Sequence, residues 1–306
     1  MRPAFRKLSI LLSVALLLIL SGCSEQYLVL DPKGPIAAAQ KDLILITTLI
    51  CAVIAIPVFA ITAVIVWRYR ERPNSKASYK PNWEHSTKLE TIWWGIPIIA
   101  IAILAVITVN YTYKLEPAVA IQSEKEPIEI QVTSLDWKWL FTYPDQGVAT
   151  VNYFKAPVDT PIRFKLTSDM AMNSFWIPNL GGQLYTMSGM AMTLHLLADE
   201  EGQYYGSGAN FTGEHFAQMT FTADITSQEE FDAWVSEVKT TERALTETDV
   251  EKLKQQGTAE VAQFSSFPDN VFYDIMMQYV EEGEQGAHAG HMPADANDEA
   301  SEHHNH

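Results

Sequence analysis

Few side chains in this sequence have both the type and the spacing to do chemistry. Met170, Met172, Met187, Met190 and Met192 fall within 23 residues, and His288, His291, Met292, His303, His304 and His306 crowd the C-terminal end. Thioethers and imidazoles suit copper, so an exported copper-binding lipoprotein is one reading of these groups. Neither group has a spacing that closes a site. Methionines equally fill an apolar loop or core, and histidines in a Glu-, Ala- and Gly-rich tail equally sit on a solvated strand. Glu90 stands just ahead of a long apolar run, near His85 and Lys88. A carboxylate at a membrane boundary can collect protons from water and pass them to a buried path. It can equally pair with Lys88 or His85. The two cysteines, Cys23 and Cys51, make neither a disulfide framework nor a zinc pattern. Cysteine-nucleophile chemistry in the region after Cys51 is excluded.

The elements that must position these groups divide the chain in two. Of 306 residues, 21 are basic and 37 acidic, for a net charge of −16, which argues against a nucleic-acid partner. Residues 1–113 carry 11 basic against 6 acidic side chains, and residues 114–306 carry 10 against 31. A basic, apolar front and an acidic back predict a membrane-anchored protein. Arg2, Arg6 and Lys7 followed by the apolar run Leu8–Leu20 read as a secretory signal peptide over 1–22. Leu20-Ser21-Gly22-Cys23 has the form of a bacterial lipobox, which makes Cys23 the lipidated N-terminus of a segment 23–42 and a membrane lipid anchor.

Residues 43–113 predict a transmembrane hairpin. Leu43–Trp67 and Ile92–Tyr113 are free of charge and long enough to cross a bilayer. Trp93 and Trp94 at one end of the second span, and Tyr111 and Tyr113 at the other, fit interfacial aromatic belts. Pro97 falls within the first turns of that span, where a missing N–H costs least. The loop 68–91 holds Arg68, Arg70, Arg72, Lys76, Lys80 and Lys88, so it belongs on the cytoplasmic side and both termini lie outside. The lipobox gives the same orientation independently.

From Ile128 the pattern turns to short alternating strands: Ile128–Val132, Asp136–Phe141, Gly147–Asn152, Pro161–Thr167, Ser174–Ile177, Met192–Ala198, Gln203–Tyr205 and Ala217–Ala223. Many short strands divided by turn signals predict a Greek-key sandwich or barrel over 114–226. Helical periodicity follows over 227–281, at Glu229–Lys239, Thr248–Gln255 and Asn270–Val280. Residues 282–306 lack the apolar content for a core and predict a disordered acidic, His-rich tail.

Four local motifs now carry a resemblance: Trp83-Glu84-His85-Ser86 with Glu90, Asp136-Trp137-Lys138-Trp139, Asn173-Ser174-Phe175-Trp176-Ile177-Pro178-Asn179-Leu180-Gly181-Gly182, and Gly206-Ser207-Gly208-Ala209-Asn210-Phe211-Thr212-Gly213 through Met219. In this order and spacing, from the lipobox to about Val280, the chain resembles subunit II of the haem–copper terminal oxidases. The resemblance implies a membrane-anchored α+β chain: a two-helix transmembrane hairpin, then an exported cupredoxin-like Greek-key β-barrel with a helical C-terminal extension.

Members that oxidise cytochrome c hold a binuclear copper centre in the last two motifs. Carried onto this chain, the imidazole positions are Asn173 and Phe216, the cysteine positions Gly208 and Thr212, and the carbonyl-donating acidic position Asn210. Only Met219 keeps a ligand type. His215 is one residue off, and no alignment of the segment supplies a thiolate. The resemblance therefore implies a chain with no cofactor of its own, in the quinol oxidase branch, closest in texture to the bo-type ubiquinol oxidases. Haems and copper are expected in a partner subunit I, with subunits III and IV as further partners and a quinol as substrate of the complex, in a bacterial plasma membrane. It also implies a proton-channel entrance at Glu90. Trp137 and Trp139 occupy the region where cytochrome c-docking members use an aromatic for electron transfer; with that donor changed, packing against subunit I is the expected role. The alternatives are subunit II of a cytochrome c oxidase and a stand-alone exported copper-binding lipoprotein.

Overall fold

A computed structural model describes residues 27–71, 82–169 and 172–289. Two helices open the fold, α1 (Pro35–Tyr69) and α2 (Thr87–Lys114). At ~1.5 Å per residue the 35 residues of α1 reach roughly 50 Å, well beyond a hydrocarbon core of about 30 Å. Its first turns therefore stand clear of the membrane. The most apolar windows of both helices are unburied within the chain, with mean hydropathy 3.0 and 2.5; only lipid or partner helices can cover such surfaces without cost. Both helices are longer than the apolar runs, because polar residues at their ends continue the backbone hydrogen bonding into water. For that reason Pro97 lies inside α2 rather than in its first turns. It frees the Trp93 carbonyl, as Pro57 inside α1 frees that of Val53, an arrangement that spanning helices tolerate.

The exported part is a two-sheet sandwich. One sheet has the order β11-β3-β2-β1-β5-β8 and the other β4-β10-β9-β6-β7, from β1 (Ile128–Leu135), β2 (Lys138–Tyr143), β3 (Val148–Val151), β4 (Tyr153–Pro157), β5 (Ile162–Ser168), β6 (Asn173–Trp176), β7 (Leu184–Thr186), β8 (Met192–Leu196), β9 (Gly202–Gly208), β10 (Thr220–Thr226) and β11 (Ala262–Phe264). Pairs β1–β5 and β4–β10 are parallel and the other pairs antiparallel. Trp139, Phe141, Phe154, Phe164, Phe175 and Phe221 meet between the sheets. The Phe175 and Phe221 rings stack 4.9 Å apart.

Three strands escape the alternation pattern: β4, β7 and β11. Between β3 and β4 the chain turns a corner at Asn152, whose φ of 55° asparagine tolerates better than most residues. Its side chain accepts from the Trp139 amide at 2.8 Å and donates to the Ala259 carbonyl at 2.7 Å. The corner is thereby tied to both the sheet and the C-terminal region. Strand β1, whose alternation from Ile128 to Val132 predicts one solvated face, is buried along nearly its whole length, as is β2. Helix α3 (Gln228–Thr241) adds Phe231, Trp234, Val235 and Val238 to the main core, and the second face of β1 and β2 is covered by α4 (Glu247–Lys254) and α5 (Val271–Ala289). Leu135, Leu140, Ala149 and Val151 there join Leu245, Val250, Phe264, Val271 and Ile275 in a second core. Helix α5 continues past the expected end of folded chain, so residues 282–289 of the sequence-predicted tail have helical backbone; residues 290–306 lie outside the described residues.

Polar contacts lock this extension in place. The buried Lys138 ammonium donates to the Asp136 and Gln255 carbonyls at 2.9 and 2.7 Å, and burial pushes its pKa down. Burial likewise pushes Asp169 up, although Lys254 lies 3.7 Å away. The Tyr279 hydroxyl donates to the Asp169 carbonyl. Helix α4 starts with a capping box between Thr246 and Asp249. The Arg243 guanidinium at 2.6 Å, and then Thr246, hold the Asp249 carboxyl well below the carboxylate range. A depressed carboxylate stabilises the fold above its unfolded value, and that contribution is lost as pH falls below the ordinary range. Acidification is expected to loosen α4 before the sandwich. Thr246→Ala is expected to cost about 1 kcal/mol locally, seen as faster amide exchange at Val250 with the strands unaffected.

Candidate functional site

Two places hold the residues singled out by the sequence. The first is the end of the sandwich where β6, β9 and β10 converge. β6 pairs with β9 through Phe175 and Gly208, and the Gly208 amide donates to the Met219 carbonyl at 2.9 Å. This register brings Asn173, Gly208 and Met219 together. The Asn173 amide nitrogen lies 2.8 Å from the Met219 sulfur, and its oxygen accepts from the Ser174 amide at 2.8 Å. A Cβ at Gly208 would stand 3.0 Å from the Asn173 oxygen and 3.3 Å from the Met219 sulfur, so a side chain at 208 would enter the same spot. Asn210 accepts from the Ser174 hydroxyl at 2.9 Å.

The remaining expected positions turn elsewhere. The Thr212 carbonyl accepts from the Trp137 indole at 3.1 Å, and Phe216 packs edge-on against the exposed Phe211 ring at 5.6 Å. His215 sets its ring against Trp137, 4.8 Å between centroids. The donor set is therefore one amide, one thioether and no thiolate, with the amide already spent on the thioether. That set does not fit a binuclear copper centre, which needs bridging thiolates and imidazoles. Among the described residues no group of three or more His, Cys, Asp and Glu side chains could hold a metal. Of the methionine cluster, Met170 lies outside the described residues, Met172 and Met190 are exposed, and Met192 packs against the main core.

Trp137 and Trp139 do not form an outward packing surface. Trp139 is fully buried, edge-on to Phe175 and Phe221 at 5.4 and 5.7 Å, because its position on β2 faces the sandwich interior. Trp137 sits on the β1–β2 turn at φ 58°, and the 212–215 loop covers it. Both rings are consumed by packing inside this chain.

The second place is the loop-side end of α2. The Glu90 carboxylate lies 2.5 Å from His85 Nδ1, with side chains 35% and 68% exposed. It also accepts from the Ser86 amide at 3.4 Å. Thr87 holds the other ring nitrogen of His85 at 3.2 Å. Glu90 therefore sits in the first turn of α2 with its acid group turned back onto the helix start, joined to an imidazole that reaches into water. Of the two pairing partners read from the sequence, His85 is the one engaged; Lys88 makes no ion pair among the described residues. Cys23 lies outside the described residues.

A third arrangement carries position rather than chemistry, and the sequence signalled it only as a turn. The segment Ile177–Gly182 receives the start of α1. The Lys33 amide donates to the Asn179 carbonyl at 2.7 Å, the Ala37 amide to the Leu180 carbonyl at 3.2 Å, and the Asp199 amide to the Lys33 carbonyl at 3.0 Å. Asn179 donates in turn to the Asp31 and Leu28 carbonyls at 2.9 and 3.3 Å. Lys33 pairs with Glu200 at 2.6 Å. Gly34 passes so close to the Leu197 carbonyl that a Cβ would overlap it. The first membrane helix is thus built rigidly into the sandwich, and the Gly-Gly and Asn-Leu of the motif are what permit the close approach.

Comparison with known proteins agrees with this division of the chain. Residues 24–111 match the family described as cytochrome c oxidase subunit II, transmembrane domain, and residues 146–226 match its periplasmic domain. The cytochrome bo(3) ubiquinol oxidase subunit 2 of Pseudomonas putida is 44% identical, over 93% of this chain and 90% of that protein. The quinol oxidase subunit 2 of Bacillus cereus is 44% identical over 87% and 91%, and the ubiquinol oxidase subunit 2 of Acetobacter aceti 42% identical over 86% and 85%.

Proposed function

The chain belongs to the oxidase subunit II family, in its quinol oxidase branch, and on that premise we propose that it is the non-redox subunit II of a proton-translocating terminal quinol oxidase. The observation that carries this reading is the Asn173–Met219 contact beside Gly208, where a cytochrome c oxidase would need thiolates and imidazoles. A domain without them has no one-electron acceptor for a soluble cytochrome. Electrons pass from a quinol to a partner subunit I, whose haems and copper supply the reduction of dioxygen to water. This chain contributes no redox group of its own.

Its own work is mechanical and protonic. The two helices pack in the bacterial plasma membrane beside subunit I, in a complex that also holds subunits III and IV. The rigid joint at Asn179 sets the sandwich over the outer face of subunit I. At the cytoplasmic face, the water-exposed His85 ring positions the Glu90 carboxylate, which passes protons toward a path in subunit I. The N-terminus is held at the outer leaflet by acyl chains on Cys23 after removal of residues 1–22. Incorporation of labelled palmitate, abolished by Cys23→Ala, tests that anchor.

The deciding experiment is to purify the tagged chain from its native membrane in mild detergent, quantify haem and copper, and measure oxygen uptake. Co-purifying haem with uptake driven by quinol, and none driven by reduced cytochrome c, is the expected result. Uptake from reduced cytochrome c would make the chain a cytochrome c oxidase subunit. Purification alone with bound copper and no haem would make it a copper-binding lipoprotein.

A further inference from the structure

A cavity of about 350 Å³ lies where α1, the end of α2 and β8 meet, a size in the range of small-molecule sites. Its walls include Ile36 and Gln40 from α1, Lys114 and Glu116 from the end of α2, and His195 on β8. The linker after α2 is pinned to β8, since the His195 amide donates to the Pro117 carbonyl at 3.0 Å and its ring Nδ1 lies 3.3 Å from the same oxygen. The wall is therefore built into the fold, with His195 itself buried.

The level of this cavity identifies its surroundings. On α1 the polar residues Gln40, Lys41 and Asp42 give way to the apolar run at Leu43, and on α2 the apolar run ends at Tyr113 and Lys114. Both boundaries fall at the cavity, which places it at the headgroup level of the outer leaflet. Val119 on its rim is 61% exposed, an apolar surface where acyl chains begin. Lys114 and Glu116 are both exposed, and neither has an ion-pair partner among the described residues. An ammonium and a carboxylate two residues apart match the phosphate and the amine of a zwitterionic headgroup, whereas Glu116 repels a headgroup that is only anionic.

We infer that this junction is a binding site for one phospholipid with a phosphoethanolamine headgroup. Lys114 takes the phosphate, Glu116 takes the ammonium, and Ile36 and Val119 line the start of the acyl chains. A lipid seated there fills the angle between the membrane helices and the sandwich, and stiffens the joint already made at Asn179. The inference rests on the two helices crossing the membrane, and not on the redox activity of the complex.

The test uses the protein as purified from its membrane, with whatever subunits accompany it. In nanodiscs of phosphatidylethanolamine or phosphatidylglycerol, followed by native mass spectrometry in mild detergent, the wild type is expected to keep one tightly held phosphatidylethanolamine and to release phosphatidylglycerol. Lys114→Gln and Glu116→Gln are each expected to lower retention about five-fold. Equal retention of the two lipids, or no change in either variant, would overturn the assignment. Independently of folding effects in those variants, a photo-reactive benzoylphenylalanine in place of Val119 is expected to capture lipid in the native membrane; capture of a polypeptide would show that a subunit fills the junction instead. These readouts are on lipid, so they stand or fall whether or not haem and quinol oxidation accompany the chain.

Discussion

Trp139→Ala is expected to destabilise the exported sandwich by a large share of its stability and to lower its melting temperature sharply. Trp139 is fully buried and edge-on to Phe175 and Phe221, which themselves stack. Truncating such a ring loses about 3–5 kcal/mol, against a net domain stability of about 5–15 kcal/mol. Trp139→Phe is a sharper control. The Trp139 indole N–H has no hydrogen-bond partner among the described residues, so phenylalanine removes a costly buried donor while keeping most of the ring, and should cost no more than about 1.5 kcal/mol. Thermal unfolding of the full-length chain in detergent, followed by near-ultraviolet circular dichroism, compares the two. Equal losses for Ala and Phe would show that the indole nitrogen, not the packed ring, matters.

Glu90→Ala is expected to slow quinol-driven oxygen uptake about ten-fold or more, in line with the loss of a positioned proton-transfer group, while haem content and assembly stay as in the wild type. The structural cost is small: Glu90 accepts one long hydrogen bond from the Ser86 amide and pairs with the exposed His85 ring, a helix-start contact and a surface pair that together are worth about 1–2 kcal/mol at most. A loss of that size cannot account for a ten-fold fall in turnover with intact haem. Glu90→Gln keeps the hydrogen bond and removes the acid, so it should be as slow as Glu90→Ala. His85→Ala should fall between these and the wild type, because Glu90 retains its place on the helix without its exposed partner. Full activity in an assembled Glu90→Ala complex would remove the proton-uptake role.

Much of this protein was legible from one dimension because its constraints are local. Charge-free runs at Leu43–Trp67 and Ile92–Tyr113 dictate two spanning helices, since a bilayer leaves an apolar segment of that length no cheaper state. The alternation from Ile128 and the helical period after Thr226 likewise placed most strands and all three C-terminal helices, and the resemblance carried the copper-ligand cysteine positions onto Gly208 and Thr212, residue types that supply no thiolate. Long-range contact decided the rest. Short strands such as β4, β7 and β11 exist only because a neighbouring strand supplies their hydrogen bonds, which no local pattern encodes. Trp137 and Trp139 read as candidates for a partner surface until the sandwich interior and the 212–215 loop claimed them. Helices packed on the second face of β1 and β2 turned an apparently half-buried strand into a buried one. The tie of α1 to Asn179 and the cavity between Gln40, Lys114 and His195 join positions far apart in the chain, and such proximity arises only when the folded layers close on one another.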